Sequence, residues 1–134
     1  MTTYPCTIGL GSNTPDREEQ IQHALVFLGK LLADVKHSSV YESKAFNGID
    51  DPYMNAVVHG QTALEPEKLI DKLKEYESDH GRVNKDIEPE GNVSIDLDLV
   101  IYNYRILRQE DFQRHYFNRG YRELLADGAF VSEA

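Results

Sequence analysis

The chain has 134 residues, a formal net charge of −9 and a single cysteine, Cys6. That length is enough for one domain with a proper core and too short for two, so residues 1–134 are expected to fold as one unit. The longest apolar run falls short of the roughly 18 residues of a membrane span, a lone cysteine forms no internal disulfide, and the acidity disfavours nucleic-acid partners, so a cytoplasmic protein without membrane or nucleic-acid partners is expected.

Thr3 to Leu10 reads as a first strand, running into Gly9-Leu10-Gly11-Ser12-Asn13. These glycines are not a P-loop, because GxxxxGK[ST] is missing, and the segment reads as a strand-to-helix connection. Thr14 as N-cap, Pro15 at the first helical position and Asp16, Glu18 and Glu19 in the first turn predict a helix from about Pro15 to Leu32. Ile21, Leu25, Leu28 and Leu32 form its apolar stripe, with Ala24 and Leu31 beside it. Val35 to Ser43 reads as a second strand. Lys44 to Pro52, with Asn47-Gly48 and Asp50-Asp51-Pro52, is a loop too long for a tight hairpin and of the kind that carries function.

Tyr53 to Thr62 is a third strand, with Tyr53 and Asn55 on the same face near its start. An aromatic plane beside an amide that donates and accepts suits a flat heterocycle; a packed tyrosine with a hydrogen-bonded asparagine fits the same pattern. Pro66 opens a second helix that runs to about His80 and stops at Gly81, with Leu69, Leu73 and Tyr76 as its core stripe, joined by Ile70. Glu77 borders that stripe and is expected to serve the fold. Arg82 to Asn92, with two glutamates, Pro89 and Gly91 and no periodicity, is expected to be a mobile loop.

From Asn92 to Tyr102 the period is two: Ile95, Leu97, Leu99 and Ile101 share one face, and Ser94, Asp96, Asp98 and Val100 the other. The two aspartates stand about 7 Å apart along the strand, from a rise of roughly 3.3 Å per residue. Aspartate is depleted in strands and like charges on one face repel, so something must offset the cost. A Mg²⁺ ion would, since it takes one or two carboxylates and keeps other positions for water and phosphate. A wet strand face is the alternative. Beyond it, Arg105 to Leu107 reads as a short strand, His115 to Gly120 as a polar-aromatic cluster, and Tyr121 to Ala126 as a short helix. Of seven arginines, five (Arg105, Arg108, Arg114, Arg119 and Arg122) fall in this last stretch. Their planar forks suit phosphate oxygens, as they also suit a solvated basic face.

The order is β-α-β-β-α-β. That is the ferredoxin-like α+β arrangement: an antiparallel sheet with two helices on one face, here with a short C-terminal helical appendage. The apolar face of the Asp strand would then pack on the helices, and Asp96 and Asp98 would look out from the open face toward the arginine-rich segment.

Several pieces taken together resemble the 6-hydroxymethyl-7,8-dihydropterin pyrophosphokinase family. They are Gly11-Ser12-Asn13, Ser39-Val40-Tyr41, Pro52-Tyr53-Met54-Asn55-Ala56-Val57-Val58, Glu77 with Gly81-Arg82-Val83, and Ser94-Ile95-Asp96-Leu97-Asp98-Leu99. His115-Tyr116 and Asn118-Arg119-Gly120-Tyr121 complete the set. The resemblance implies a ferredoxin-like enzyme of folate biosynthesis that moves pyrophosphate from ATP to the pterin. It implies Asp96 and Asp98 as ligands of two Mg²⁺ ions that bridge the phosphates of ATP, the co-substrate. It also implies a pterin pocket of Ser43, Phe46, Tyr53, Asn55 and Tyr121. Arg82, His115, Tyr116 and Arg119 would contact the nucleotide, with Arg82 catalytic beside the aspartates. Other folate-pathway enzymes are the protein partners it suggests. The chain departs from the family at Val93, where an arginine is usual, and it has no tryptophan for the preceding loop, Arg82 to Asn92, which matches a mobile flap of the family. Two other readings stand beside this one: a diverged pterin- or nucleotide-binding protein with little turnover, and an interaction module whose acidic strand face is merely solvated.

Overall fold

The computed structural model describes residues 2–44, 52–82 and 94–128, with the side chains of residues 81 and 82 left aside. Phe46, Val93, the Arg82 side chain and most of the two expected loops lie outside the described residues. Among those described, six strands form one antiparallel sheet: β1 (Tyr4–Ser12), β2 (Ala33–His37), β3 (Tyr41–Ser43), β4 (Tyr53–Thr62), β5 (Asp96–Tyr102) and β6 (Arg105–Ile106). The order across it is β2-β4-β1-β5-β6, with β3 also pairing β4 beyond β2. The helices are α1 (Arg17–Leu31), α2 (Pro66–Glu77), α3 (Gln109–Gln113) and α4 (His115–Ala126), and a π-turn at Ser78–Arg82 extends α2.

The main core lies between one sheet face and both long helices. Cys6, Ile8 and Leu10 of β1, Ala56 and Val58 of β4, and Leu97 and Leu99 of β5 meet Ile21, Ala24 and Leu28 of α1 and Leu69, Leu73 and Tyr76 of α2, all buried. The ferredoxin-like arrangement is thus observed, as is Cys6 as a core residue whose thiol burial pushes up to about 12. The helix α1 starts two residues later than expected. Thr14 does not cap it with its side chain; its hydroxyl donates to Asp16 Oδ1 at 2.6 Å, and its carbonyl accepts from Arg17 N–H in a turn that precedes the helix.

The expected second strand is two strands, β2 and β3, each paired with β4. Ser38 parts them: its N–H donates to the Val57 carbonyl while its hydroxyl accepts from Val57 N–H at 2.9 Å, so a side chain does the work of the ladder. Alternation on β5 also breaks. Thr7 pairs Ile101 and Ile8 pairs Leu99, which leaves Val100 as the extra residue of a bulge. Past it the faces exchange. Tyr102 joins the helix-side core, whereas Ile101, expected there, packs with Val100 on the other side.

The second sheet face is not open along its whole length. Phe117 and Leu124 of α4 bury against Val57 and Val100 in a smaller core, with Phe112 of α3 and Tyr121 packed at its border. A two-residue turn, Asn103-Tyr104, leads there, both residues at positive φ (49° and 66°) as a tight hairpin between right-twisted strands requires. The segment expected as a polar-aromatic cluster is the first half of α4. At Gly120 the helix touches the sheet so closely that an added Cβ would lie 2.5 Å from Val57 Cγ2.

Candidate active site

On the half of this face that α4 leaves uncovered, β1, β4 and β5 line up three residues. Gly11 pairs Asn55 on one side and Asp96 on the other. A cleft of about 150 Å³ opens there, lined by Gly11, Ser43, Lys44, Tyr53, Asn55, Asp96 and Tyr116. Gly11 keeps its floor low, because a Cβ at that position would meet the Tyr53 ring at 3.4 Å and Asn55 Oδ1 at 3.6 Å.

Asn55 is buried and its orientation is fixed from within. Its amide nitrogen donates to Ser43 Oγ at 2.7 Å and to the Tyr41 carbonyl at 3.2 Å, which turns the amide oxygen toward Gly11 and the cleft. Ser43 is therefore both a wall of the cleft and the support of its amide. Tyr53, half-buried, lays its ring along the same wall.

Asp96 and Asp98 project from β5 toward this face, close enough for the charge of one to act on the other. Burial, and next the charge of Asp96, pushes the Asp98 carboxyl up to about 7, while Arg108 and Lys74 pull it the other way. Both cations address the same oxygen, Lys74 Nζ at 3.7 Å and Arg108 Nη2 at 3.8 Å from Asp98 Oδ1. Here β5 is the sheet edge, and its Leu97 N–H, turned outward between the two aspartates, donates to Glu77 Oε2 at 2.7 Å. Glu77 is buried, which raises its pKa, and its carboxylate also holds Lys74 at 3.2 Å. The expected structural role of Glu77 is what is found.

The donor set suits a hard cation that keeps water and phosphate ligands: two carboxylates, hard oxygen donors, at the rim of a cleft. No cluster of three or more His, Cys, Asp or Glu side chains that could hold a metal ion occurs among the described residues. A closed protein cage of the zinc type is therefore not formed by them.

The C-terminal residues divide. Tyr116 faces the cleft, and its hydroxyl donates to Asp111 Oδ1 at 3.2 Å. Burial, then Asp111, pushes that phenol up to about 12. His115 and Arg119, both exposed, line a shallow groove on the outer side of α3 and α4 with Gln113, Asn118 and Arg122. The Arg119 guanidinium also sits over the Tyr41 ring, 4.8 Å from its centroid. Tyr41 ties the two regions. Its hydroxyl donates to the Tyr116 carbonyl and accepts from Gly120 N–H at 3.1 Å, the two groups that one turn of undisturbed helix joins to each other.

Tyr121 does not join the cleft. It lines a separate cavity of about 260 Å³ with His59, Thr7, Ile101 and Phe112, its ring stacked on Phe117 at 5.8 Å. The cause is helical pitch: residues 117 and 121 share one face of α4, and residue 116 points about 100° away, toward Asp96. Lys44 opens the loop expected to carry function and Tyr41 lies in one of the pieces that carry the resemblance, whereas Lys74 was not expected near the site. Lys74 had a signal, an i,i+3 pair with Glu77 at the end of α2, but nothing in the sequence places that helix end beside Asp98.

The family model for 7,8-dihydro-6-hydroxymethylpterin-pyrophosphokinase matches residues 7–125. A 2-amino-4-hydroxy-6-hydroxymethyldihydropteridine pyrophosphokinase of Haemophilus influenzae is 35% identical over 128 residues, 93% of this chain and 77% of the relative. One of Aquifex aeolicus is 37% identical over 103 residues, 75% of this chain and 62% of the relative. A folate synthesis bifunctional protein of Chlamydia muridarum is 35% identical over 111 residues, covering 76% of this chain and 24% of that longer protein.

Proposed function

Because the chain belongs to the 7,8-dihydro-6-hydroxymethylpterin-pyrophosphokinase family, we propose that it transfers the β,γ-diphosphate of ATP to the hydroxymethyl oxygen of 6-hydroxymethyl-7,8-dihydropterin, in folate biosynthesis. The observation that carries this reading is the single cleft in which Ser43, Tyr53 and Asn55 stand beside Asp96 and Tyr116. The amide oxygen of Asn55 matches the amino and ring N–H edge of a pterin, and Tyr53 offers a face on which the ring can lie. Asp96 and Asp98 hold Mg²⁺. When bound, Mg²⁺ neutralises phosphate oxygens and supports orientation of the attacking hydroxyl.

In the reaction the hydroxymethyl oxygen bonds the β-phosphorus and releases its proton to water, the bond from that phosphorus to the α,β-bridging oxygen breaks, and AMP leaves with that oxygen. Such transfer asks little covalent chemistry of the protein, and positioning with charge neutralisation carries it. Tyr116, Arg119, His115 and Arg82 serve the nucleotide side, and Phe46 serves the pterin side. The kinship with bifunctional folate-synthesis proteins supports a neighbouring pathway enzyme as partner.

The test is AMP release from ATP with and without the pterin, in Mg²⁺ and in EDTA. Release that needs both pterin and metal, and that falls by about 10²-fold or more in Asp96→Ala and Asp98→Ala, is expected. Full activity in either variant would overturn the assignment of the metal pair. A second reading, a binding protein with little turnover, is favoured by Val93 at a position where the family carries an arginine. Calorimetry separates the two, since that protein binds pterin without Mg-ATP.

A further inference from the structure

We propose that Lys74 and Arg108 are resident counter-ions of Asp98 that a divalent cation displaces, and that then take phosphate oxygens of the nucleotide. The inference rests on Asp96 and Asp98 being the metal-binding pair.

Two positive side chains converge on one carboxylate oxygen, at 3.7 Å and 3.8 Å. Both distances exceed a hydrogen bond, so the attraction is coulombic and readily exchanged. Together they bring to Asp98 the charge of one divalent ion. They also come from opposite sides, Lys74 from the end of α2 around the sheet edge and Arg108 from the connection between β6 and α3.

Each has a second anion of its own. Lys74 is held by Glu77 Oε1 at 3.2 Å, and Arg108 by Asp111 through its Nε. Losing Asp98 to a metal therefore frees one contact of each side chain and leaves the other. Both side chains are half exposed, at 50%, so they can swing about the retained anchor without leaving a buried gap. A polyphosphate held through a divalent cation at Asp96 and Asp98 would arrive within their reach. They would then supply positive charge on the side of the cleft away from His115 and Arg119.

The exchange predicts effects of opposite sign on two ligands. Lys74→Gln and Arg108→Gln should each tighten Mn²⁺ binding by the nucleotide-free protein about two- to fivefold, the worth of one exposed ion pair, read by electron spin resonance of free Mn²⁺. The same substitutions should weaken a non-hydrolysable ATP analogue in saturating Mg²⁺ by about tenfold, read by calorimetry, with Lys74→Arg restoring most of it. Damage to the fold would weaken both ligands together.

Mn²⁺ affinity that is unchanged or lower in both variants overturns the proposal, and so does unchanged affinity for the analogue. Asp98→Asn is measured alongside. Should it leave Mn²⁺ affinity intact, the metal pair itself has been misassigned. Should it remove Mn²⁺ binding while Lys74→Gln changes nothing, the pair stands and only the exchange fails. Absence of Mn²⁺ binding in all of these proteins counts against both.

Discussion

Asn55 spends its donors inside the protein, on Ser43 and Tyr41, and keeps its acceptor for the cleft. Truncation to alanine leaves Ser43 and any bound ring N–H without that partner. Asn55→Ala should therefore weaken pterin binding by about 1–3 kcal/mol in calorimetry; unchanged affinity would place the ring elsewhere. His59 makes a different statement. It is buried beside Thr7, whose hydroxyl lies 3.0 Å from Nδ1, and burial, then Lys36, lowers its pKa below the usual 6.5. With the folded value depressed, the unfolded chain takes up the proton first. The cost to stability is absent above pH 6.5 and grows as pH falls below it. Thermal melts from about pH 7 to about pH 5 should drop more for the wild type than for His59→Gln; parallel curves would contradict this. The facing of Asp96 and Asp98 was legible because alternation on β5 holds up to the bulge at Val100. The destination of Tyr121 was not, because the sequence predicts a helix only from residue 121 onward, whereas α4 starts at His115.

Among the elements, α4 depends most on a single position. At Gly120 an added methyl group would meet Val57 Cγ2 at 2.5 Å, the Tyr41 hydroxyl at 2.8 Å and Ser38 Oγ at 3.0 Å. Gly120→Ala should cost about 1–3 kcal/mol by overpacking, read in thermal melts, and loosen nucleotide binding with it, since Tyr116 and Arg119 ride on the same helix. An unchanged melting temperature would show that α4 can lift freely. Strand β4 matches its expected bounds, Tyr53–Thr62, because a β-branched, turn-bounded run carries its own signal. The bulge at Val100 left no mark in the sequence. In the sequence alternation runs on through Ile101, and only the pairing of Thr7 and Ile8 reveals the slip. The length of α4 could have been read from Phe117, Tyr121 and Leu124, whose spacing of four and three is helical, but Arg119, Gly120 and Arg122 between them obscured it.

For the molecule as a whole, acidic excess and the two cations at Asp98 set the terms of ligand binding. Metal and nucleotide together should stabilise the fold far more than either alone. At about a hundred times its dissociation constant a ligand adds ~2.7 kcal/mol, roughly 8–15 °C in melting temperature for a chain of this size. A shift of that size with nucleotide in EDTA would argue against the metal pair. No described helix is long and apolar enough to cross a membrane. The ferredoxin-like order was readable from the succession of periods; the helical cover over the second face was not, since it depends on contacts across the sheet that no local pattern encodes. Tyr41 carries the last consequence. Its carbonyl steadies the amide of Asn55 while its hydroxyl grips two backbone groups of α4 and its ring lies under Arg119. A tilt of that one ring is thus felt at once at Asn55 in the cleft and at Arg119 in the groove beyond α4, so these two regions cannot drift, or be redesigned, independently.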